Sequence, residues 1–152
     1  MFDLRPADAN DRELRWLVQC KSMRPYVEAT WGWDESFQRD YFHRHHDHGS
    51  CQIIRVDGTD AGVLAVDIHP DQVFLRTVAL LPEFQGRGIG TEVIRQVMDQ
   101  ALRLGVCTRL QVLKVNPARR LYERLGFRVH AETVTHFQMV CEPQAARERP
   151  RS

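Results

Sequence analysis

From Ile89 onward, apolar residues fall at Val93, Ile94, Val97, Ala101 and Leu104 with polar residues between them. That spacing predicts an amphipathic helix, and Gly105 ends it. Earlier, residues 8–19 show helical spacing with Leu14, Leu17 and Val18 on one face. A dense aromatic stretch follows, with Tyr26, Trp31, Trp33, Phe37, Tyr41 and Phe42. Pro25 is read there as the start of a short helical turn. Asp34 is read as the cap of a second helix, with Phe37 and Tyr41 one turn apart.

Strand-like segments fill the rest. Residues 2–6 read as a first strand. Residues 50–57 and 59–68 flank Asp57-Gly58, a hairpin signal, and Pro70-Asp71 turns the chain into a strand over 72–81. Residues 106–115 read as a buried strand. Asn116 then caps a short helix with Pro117 at its first position, and Gly126 closes it. Two strands, near 127–133 and 134–141, complete the order βααβββαβαββ, an α/β fold with a mixed, mostly antiparallel sheet. No repeat or linker divides the chain, so residues 1–142 read as a single domain and 143–152 as a charged, disordered tail.

Composition narrows the classes of function. The 152 residues carry 21 basic and 20 acidic side chains. A net charge of +1 gives no general attraction to nucleic acid or an anionic membrane, so any anion site must be local. No apolar run approaches a membrane span, and no secretion signal is visible at the first residues. Cys20, Cys51, Cys107 and Cys141 are scattered and form no Cys-x-x-Cys pair. Reduced thiols in a cytoplasmic protein are expected. The run from His43 to His48 invites a metal reading through His43 and His46, but no spaced partner cluster supports it; a solvated helix end is expected, and no metal.

The strongest chemistry lies in Gln85-Gly86-Arg87-Gly88-Ile89-Gly90, between a strand and a helix. The first turn of a helix has N–H groups without intrahelical partners, and glycines let that backbone approach a phosphate. A Walker loop requires Gly-Lys-Ser/Thr, whereas Gly90 is followed by Thr91 and Glu92. A dinucleotide fingerprint requires its third glycine one residue later. The Gln/Arg-x-x-Gly-x-Gly/Ala loop that holds a coenzyme A pyrophosphate is matched by Gln85, Gly88 and Gly90.

One strand further on stands Asn116-Pro117-Ala118-Arg119-Arg120-Leu121-Tyr122-Glu123-Arg124-Leu125-Gly126-Phe127. With this second motif the chain resembles the GNAT superfamily of N-acetyltransferases, over about residues 50–140. The resemblance implies a GNAT-like sheet, splayed where a thioester enters, with helices on both faces. It implies acetyl-CoA as co-substrate and direct transfer of the acetyl group to a primary amine, expected to be a small molecule. Gln85, Gly86, Arg87, Gly88, Ile89, Gly90 and Thr91 would hold the pyrophosphate. Backbone groups of Val78 and Leu80 would meet the pantetheine arm and thioester, and Asn116 would also contact that arm. Tyr122 would be the general acid that protonates the leaving thiolate. Arg119 and Arg120 are read either as 3′-phosphate contacts or as a solvated helix face.

In that family the first two helices shape the acceptor site. Tyr26, Trp31 and Trp33 would then wall it, and Glu28 would contact the acceptor or act as base, with Asp67 and His69 as further candidate bases. Arg76 either reads an acceptor carboxylate or pairs with a neighbouring strand. A homodimer is compatible with the sequence. The rival readings are an acyl-CoA sensor without turnover and a protein lysine or N-terminal acetyltransferase.

Overall fold

The computed structural model describes residues 1–45 and 51–143. Its elements are β1 (Phe2–Pro6), α1 (Arg12–Trp31), α2 (Glu35–His45), β2 (Cys51–Val56), β3 (Thr59–Ile68), β4 (Gln72–Leu80), α3 (Ile89–Leu104), β5 (Cys107–Leu113), α4 (Ala118–Arg124), β6 (Arg128–Glu132) and β7 (His136–Cys141). The order is the one the sequence predicts. The seven strands form one sheet in the order β1-β2-β3-β4-β5-β7-β6. The β4–β5 pair is parallel and runs over Gln72–Leu75 and Cys107–Leu110. The β1–β2, β2–β3, β5–β7 and β6–β7 pairs are antiparallel.

The chain divides into two compact units, one of Met1–Ala65 with Thr77–Gly90 and one of Val66–Arg76 with Thr91–Ser152. In the first, Val18, Ile53, Val63, Ala79 and Leu81 form a core, with Leu14, Cys51 and Phe84 packed on it. The β2–β3 hairpin turns at Asp57 (φ 51°) and Gly58 (φ 82°), both in the left-handed region that a tight hairpin requires. Its register slips between Ile54 and Arg55, so Ala61 is the extra residue of a bulge. Gly62 follows, and a Cβ there would stand 2.2 Å from the Ala79 carbonyl oxygen.

α1 departs from expectation. It does not stop near residue 19 but runs unbroken to Trp31, with Pro25 in its interior rather than at the start of a new turn. Trp16 and Val18 bury the half before the proline and Val27 the half after it. Packing on both sides thus offsets the lost hydrogen bond and ring clash, a cost of about 3 kcal/mol. Leu17 is exposed, and Trp16 takes the inward place expected of it. Its ring stacks on Trp33 (6.1 Å) and packs on Phe42 (5.5 Å). α2 begins as predicted, with the Asp34 carboxylate accepting the Phe37 N–H at 2.9 Å.

In the second unit, α3 buries Val93, Ile94, Val97, Met98 and Ala101, and Leu104 is left exposed. Gly105 (φ 72°) closes the helix. Val73, Leu75, Leu110, Val112, Met139 and Val140 are buried in the strands. At α4, the Asn116 side-chain oxygen accepts the Ala118 N–H at 2.9 Å, as a capping residue does two positions ahead. The helix proper starts at Ala118, one residue after the predicted Pro117. The tail after Pro143 and the histidines from His46 to His48 lie outside the described residues.

Candidate active site

The β4–α3 connection is built for close approach. Pro82–Phe84 makes one tight turn after β4, and the Gln85 N–H closes it on the Pro82 carbonyl at 3.1 Å. The Gln85 side chain turns back and donates to the Leu80 carbonyl at 2.9 Å. Gln85 therefore shapes the loop, with its backbone N–H and one side-chain N–H committed inside the chain. Gly86 (φ 76°) and Gly88 (φ 80°) occupy the left-handed region, where a side chain would strain the backbone. Gly90 differs: its φ is ordinary, and a Cβ there would meet only the Leu80 Cδ1 atom, at 3.8 Å. Nothing in the fold requires a glycine at that place, although glycine costs a helix about 1 kcal/mol relative to alanine.

The loop's donors are available. Among the described residues no hydrogen bond engages the N–H groups of Gly86, Arg87 or Gly88. Helix geometry leaves those of Ile89, Gly90 and Thr91 without intrahelical acceptors. Residues 85–88 are exposed, and the Arg87 guanidinium lies 5.5 Å over the Phe84 ring. Val78 and Leu80 lie at the end of β4 that feeds this loop, with Leu80 buried and Val78 half-buried.

The second unit carries the other motif. Tyr122 packs edge-on against Phe127, with ring centroids 5.8 Å apart. Burial pushes its phenol from the ordinary value near 10 up to about 12, so it holds its proton at neutral pH. Its hydroxyl has no hydrogen-bond partner among the described residues. Asn116 is half-buried and its oxygen is committed to the α4 cap. Arg119 lies 4.2 Å over the Phe137 ring and pairs with Glu123 one turn on at 3.6 Å, and Arg120 is exposed.

On α1 and the turn after it, Glu28 and Trp33 are linked through Arg24, and Tyr26 and Trp31 are not part of that link. The Arg24 guanidinium lies 4.9 Å over Trp33 and contacts Glu28 at 3.4 Å. The Trp33 indole N–H donates to Glu35 at 3.1 Å. Trp31 is 59% exposed, so it is no core residue, while Trp33 and Tyr26 are half-buried. Sequence reasoning did not pair Arg24 with Trp33. The i,i+4 relation of Arg24 to Glu28 was legible, but the reach to Trp33 depends on the turn at Gly32. Arg76 forms an ion pair with Asp67 on the neighbouring strand, as the second of its two readings has it, so Asp67 is engaged. His69 is exposed beside that hairpin. Among the described residues no cluster could hold a metal ion, and no helix is long and apolar enough to cross a membrane.

A mixed sheet whose fourth strand enters an amphipathic helix through a glycine turn with available N–H groups is a fold with known relatives. The Acetyltransferase (GNAT) family model matches residues 13–127, and the chain belongs to that family. It is 36% identical over 78 residues to thialysine N-epsilon-acetyltransferase of Mus musculus, covering 50% of this chain and 46% of that protein. It is 40% identical over 58 residues to [ribosomal protein bS18]-alanine N-acetyltransferase of Haemophilus influenzae, covering 38% of this chain and 40% of that one. The matches thus span less than half the length of either relative. The fold is that of PaiA N-acetyltransferase from Thermoplasma acidophilum, solved in complex with coenzyme A, with TM-score 0.76, 17% identity, and coverage of 93% of this chain and 99% of that one.

Proposed function

We propose that this protein transfers the acetyl group of acetyl-CoA to a primary amine, with a small-molecule acceptor. The observation that carries the reading is Gly90. The fold leaves room for a side chain there, yet the position is kept bare in the first turn of a helix beside a run of free N–H groups. A pyrophosphate pressed against that backbone accounts for the missing side chain. Residues 86–91 are then the pyrophosphate cradle, Gln85 its brace, and the β4 backbone at Val78 and Leu80 the edge that meets the pantetheine arm. Asn116 orders the turn into α4 and offers its amide N–H groups to the same arm.

In the reaction the amine nitrogen attacks the thioester carbonyl carbon. A C–N bond forms, the C–S bond breaks, and sulfur leaves as a thiolate. Tyr122, protonated at neutral pH, gives its proton to that sulfur. The attacking nitrogen releases its proton to a base or to water, and Glu28 is the proposed acceptor-side carboxylate. Support for an acceptor wall of Tyr26, Glu28, Trp31 and Trp33 is that a cation, the Arg24 guanidinium, already lies on Trp33 beside Glu28. The four free cysteines support a reducing, cytoplasmic setting.

Two measurements test this. Acetyl-CoA turnover, read as free thiol against panels of amines, amino acids and peptides, should find an acceptor; no turnover across the panels, with acetyl-CoA still bound, would favour the sensor reading. Gly90→Val fills the cradle without forcing a left-handed residue, so it should fold and lose acetyl-CoA affinity. Losing one charge-assisted hydrogen bond, worth about 1.5–3 kcal/mol, predicts roughly a 10- to 100-fold loss by calorimetric titration. Unchanged affinity would remove the pyrophosphate from this loop.

A further inference from the structure

Arg24 and Glu28 stand one turn apart near the end of α1, and each is only partly engaged. The Arg24 Nε–H donates to Glu28 Oε2 at 3.4 Å, and the guanidinium lies 4.9 Å over the Trp33 ring. Among the described residues no other group pairs with the two terminal nitrogens of Arg24 or with Glu28 Oε1. The side chains are 48% and 55% exposed, so those groups are open to a ligand. Helix stability does not account for the pair. A carboxylate in the last turn of α1 faces the negative end of the helix dipole, and no basic residue stands in that turn. Arginine before glutamate is also the weaker order of such a pair.

The platform under Arg24 is braced. The Trp33 indole N–H donates to Glu35 at 3.1 Å, and the ring stacks on Trp16 with centroids 6.1 Å apart. Trp16 is itself 4% exposed and packs on Phe42. An arginine on a solvated surface loses rotamer freedom when it binds a ligand. One tethered at Nε and seated on a fixed indole has lost part of that freedom beforehand. Its terminal nitrogens then offer the two parallel N–H donors that a carboxylate accepts. Glu28 beside it has the opposite charge and an open oxygen, which suits an ammonium. A ligand that satisfies both carries a carboxylate and an amine close together. We infer that Arg24 and Glu28 form a clamp for a zwitterion, with Arg24 reading the carboxylate, and that the acceptor is an α-amino acid. This acceptor class rests on the acetyl transfer proposed above. A peptide amino terminus has an amide where the carboxylate would be, and leaves the Arg24 fork without its anion.

Turnover with acetyl-CoA, read as free thiol, is compared across the common α-amino acids and the α-carboxamide of each. Arg24→Ala should lower kcat/KM for the free acids by about tenfold or more, through KM, and leave the carboxamides nearly unchanged. Comparing the same pair in both proteins cancels the different amine pKa values of acid and amide. Arg24→Lys keeps the charge without the fork and should recover only part of the loss. Arg24 is exposed, so each variant should keep the wild-type circular dichroism and thermal midpoint, which separates a lost contact from a lost fold. An equal effect of Arg24→Ala on acids and carboxamides overturns the clamp. A wild type that acetylates peptides and carboxamides but no free acid acts on peptide amino termini, and overturns it too. Calorimetric titration of the same panel in the presence of CoA is read separately. Acids that bind through Arg24 yet are never acetylated keep the clamp and sink the transfer. If no acid binds more tightly than its carboxamide, the clamp fails whatever is turned over.

Discussion

Tyr122 combines a packed ring with an unpartnered hydroxyl, and the two can be separated by one atom. Tyr122→Phe keeps the ring against Phe127 and removes only the hydroxyl. With the phenol held up near 12, the wild-type side chain is protonated throughout the neutral range, so a proton is present, although the shift makes it a weaker donor than an ordinary phenol. The expected outcome is a fall in kcat of about 10²–10⁴ with acetyl-CoA affinity nearly unchanged. Steady-state kinetics beside a calorimetric titration checks it, and wild-type turnover across the pH range would leave Tyr122 a packing residue only. The position of this residue was legible in the sequence because a motif fixed it. Its raised pKa was not, since that depends on side chains brought around it by the fold. Gly88 and Gly90 make the same contrast. The motif treats them alike, whereas the structure shows backbone conformation requiring glycine at 88 and nothing in the fold requiring it at 90.

At the scale of elements, period and punctuation gave the right order of helices and strands because each element buries a regular face and ends on a residue suited to ending it. α3 is the clear case, with its buried positions at helical spacing and Gly105 at its close. α1 is the failure. A rule about proline is local, and tertiary burial of Trp16, Val18 and Val27 on both sides of Pro25 overrides it. The proposed acceptor side was half legible: Glu28 and Trp33 are linked through Arg24, but Arg24 had no sequence signal placing it on Trp33. A lone glycine in a strand is a signal of close backbone approach, and Gly62 is such a residue. Its missing Cβ is what lets the Ala79 carbonyl pass. Gly62→Ala sets a methyl group against backbone that cannot rotate away. It should destabilise the fold by about 1–3 kcal/mol, measured as a lower urea midpoint with an unchanged slope. An unshifted midpoint would mean that β3 and β4 move apart at no cost.

At the scale of the whole molecule, four of the described groups bear on the pH range of stability, Asp11, His136, Cys20 and Tyr122, and each acts through the sign of its shift. The Asp11 carboxyl is held below its ordinary 3.8, first by its hydrogen bonds to Arg5 at 2.7 and 2.9 Å, against the opposing effect of burial. Its contribution is present above about pH 4 and is lost as pH falls toward the folded value. Burial lowers the His136 imidazole below its ordinary 6.5, so the folded chain resists a proton that the unfolded chain accepts, and stability declines as pH drops below 6.5. Tyr122 acts on the other side. Its folded pKa of about 12 exceeds the unfolded value near 10, so its contribution is complete below pH 10 and is lost as pH rises toward 12. The loss is on the order of 2 kcal/mol. Burial likewise raises the Cys20 thiol above its ordinary 9.0, so its contribution is lost as pH rises past 9. Urea midpoints from pH 3 to pH 12 should therefore trace a plateau from about pH 7 to pH 9 with a shoulder on each side. Tyr122→Phe has no proton to lose there and should reduce the alkaline shoulder above pH 10 while leaving the acid side unchanged. His136→Gln should do the converse near pH 6. If the alkaline decline is as steep in Tyr122→Phe as in the wild type, burial does not hold the phenol above its ordinary value, and the alkaline limit belongs to other groups.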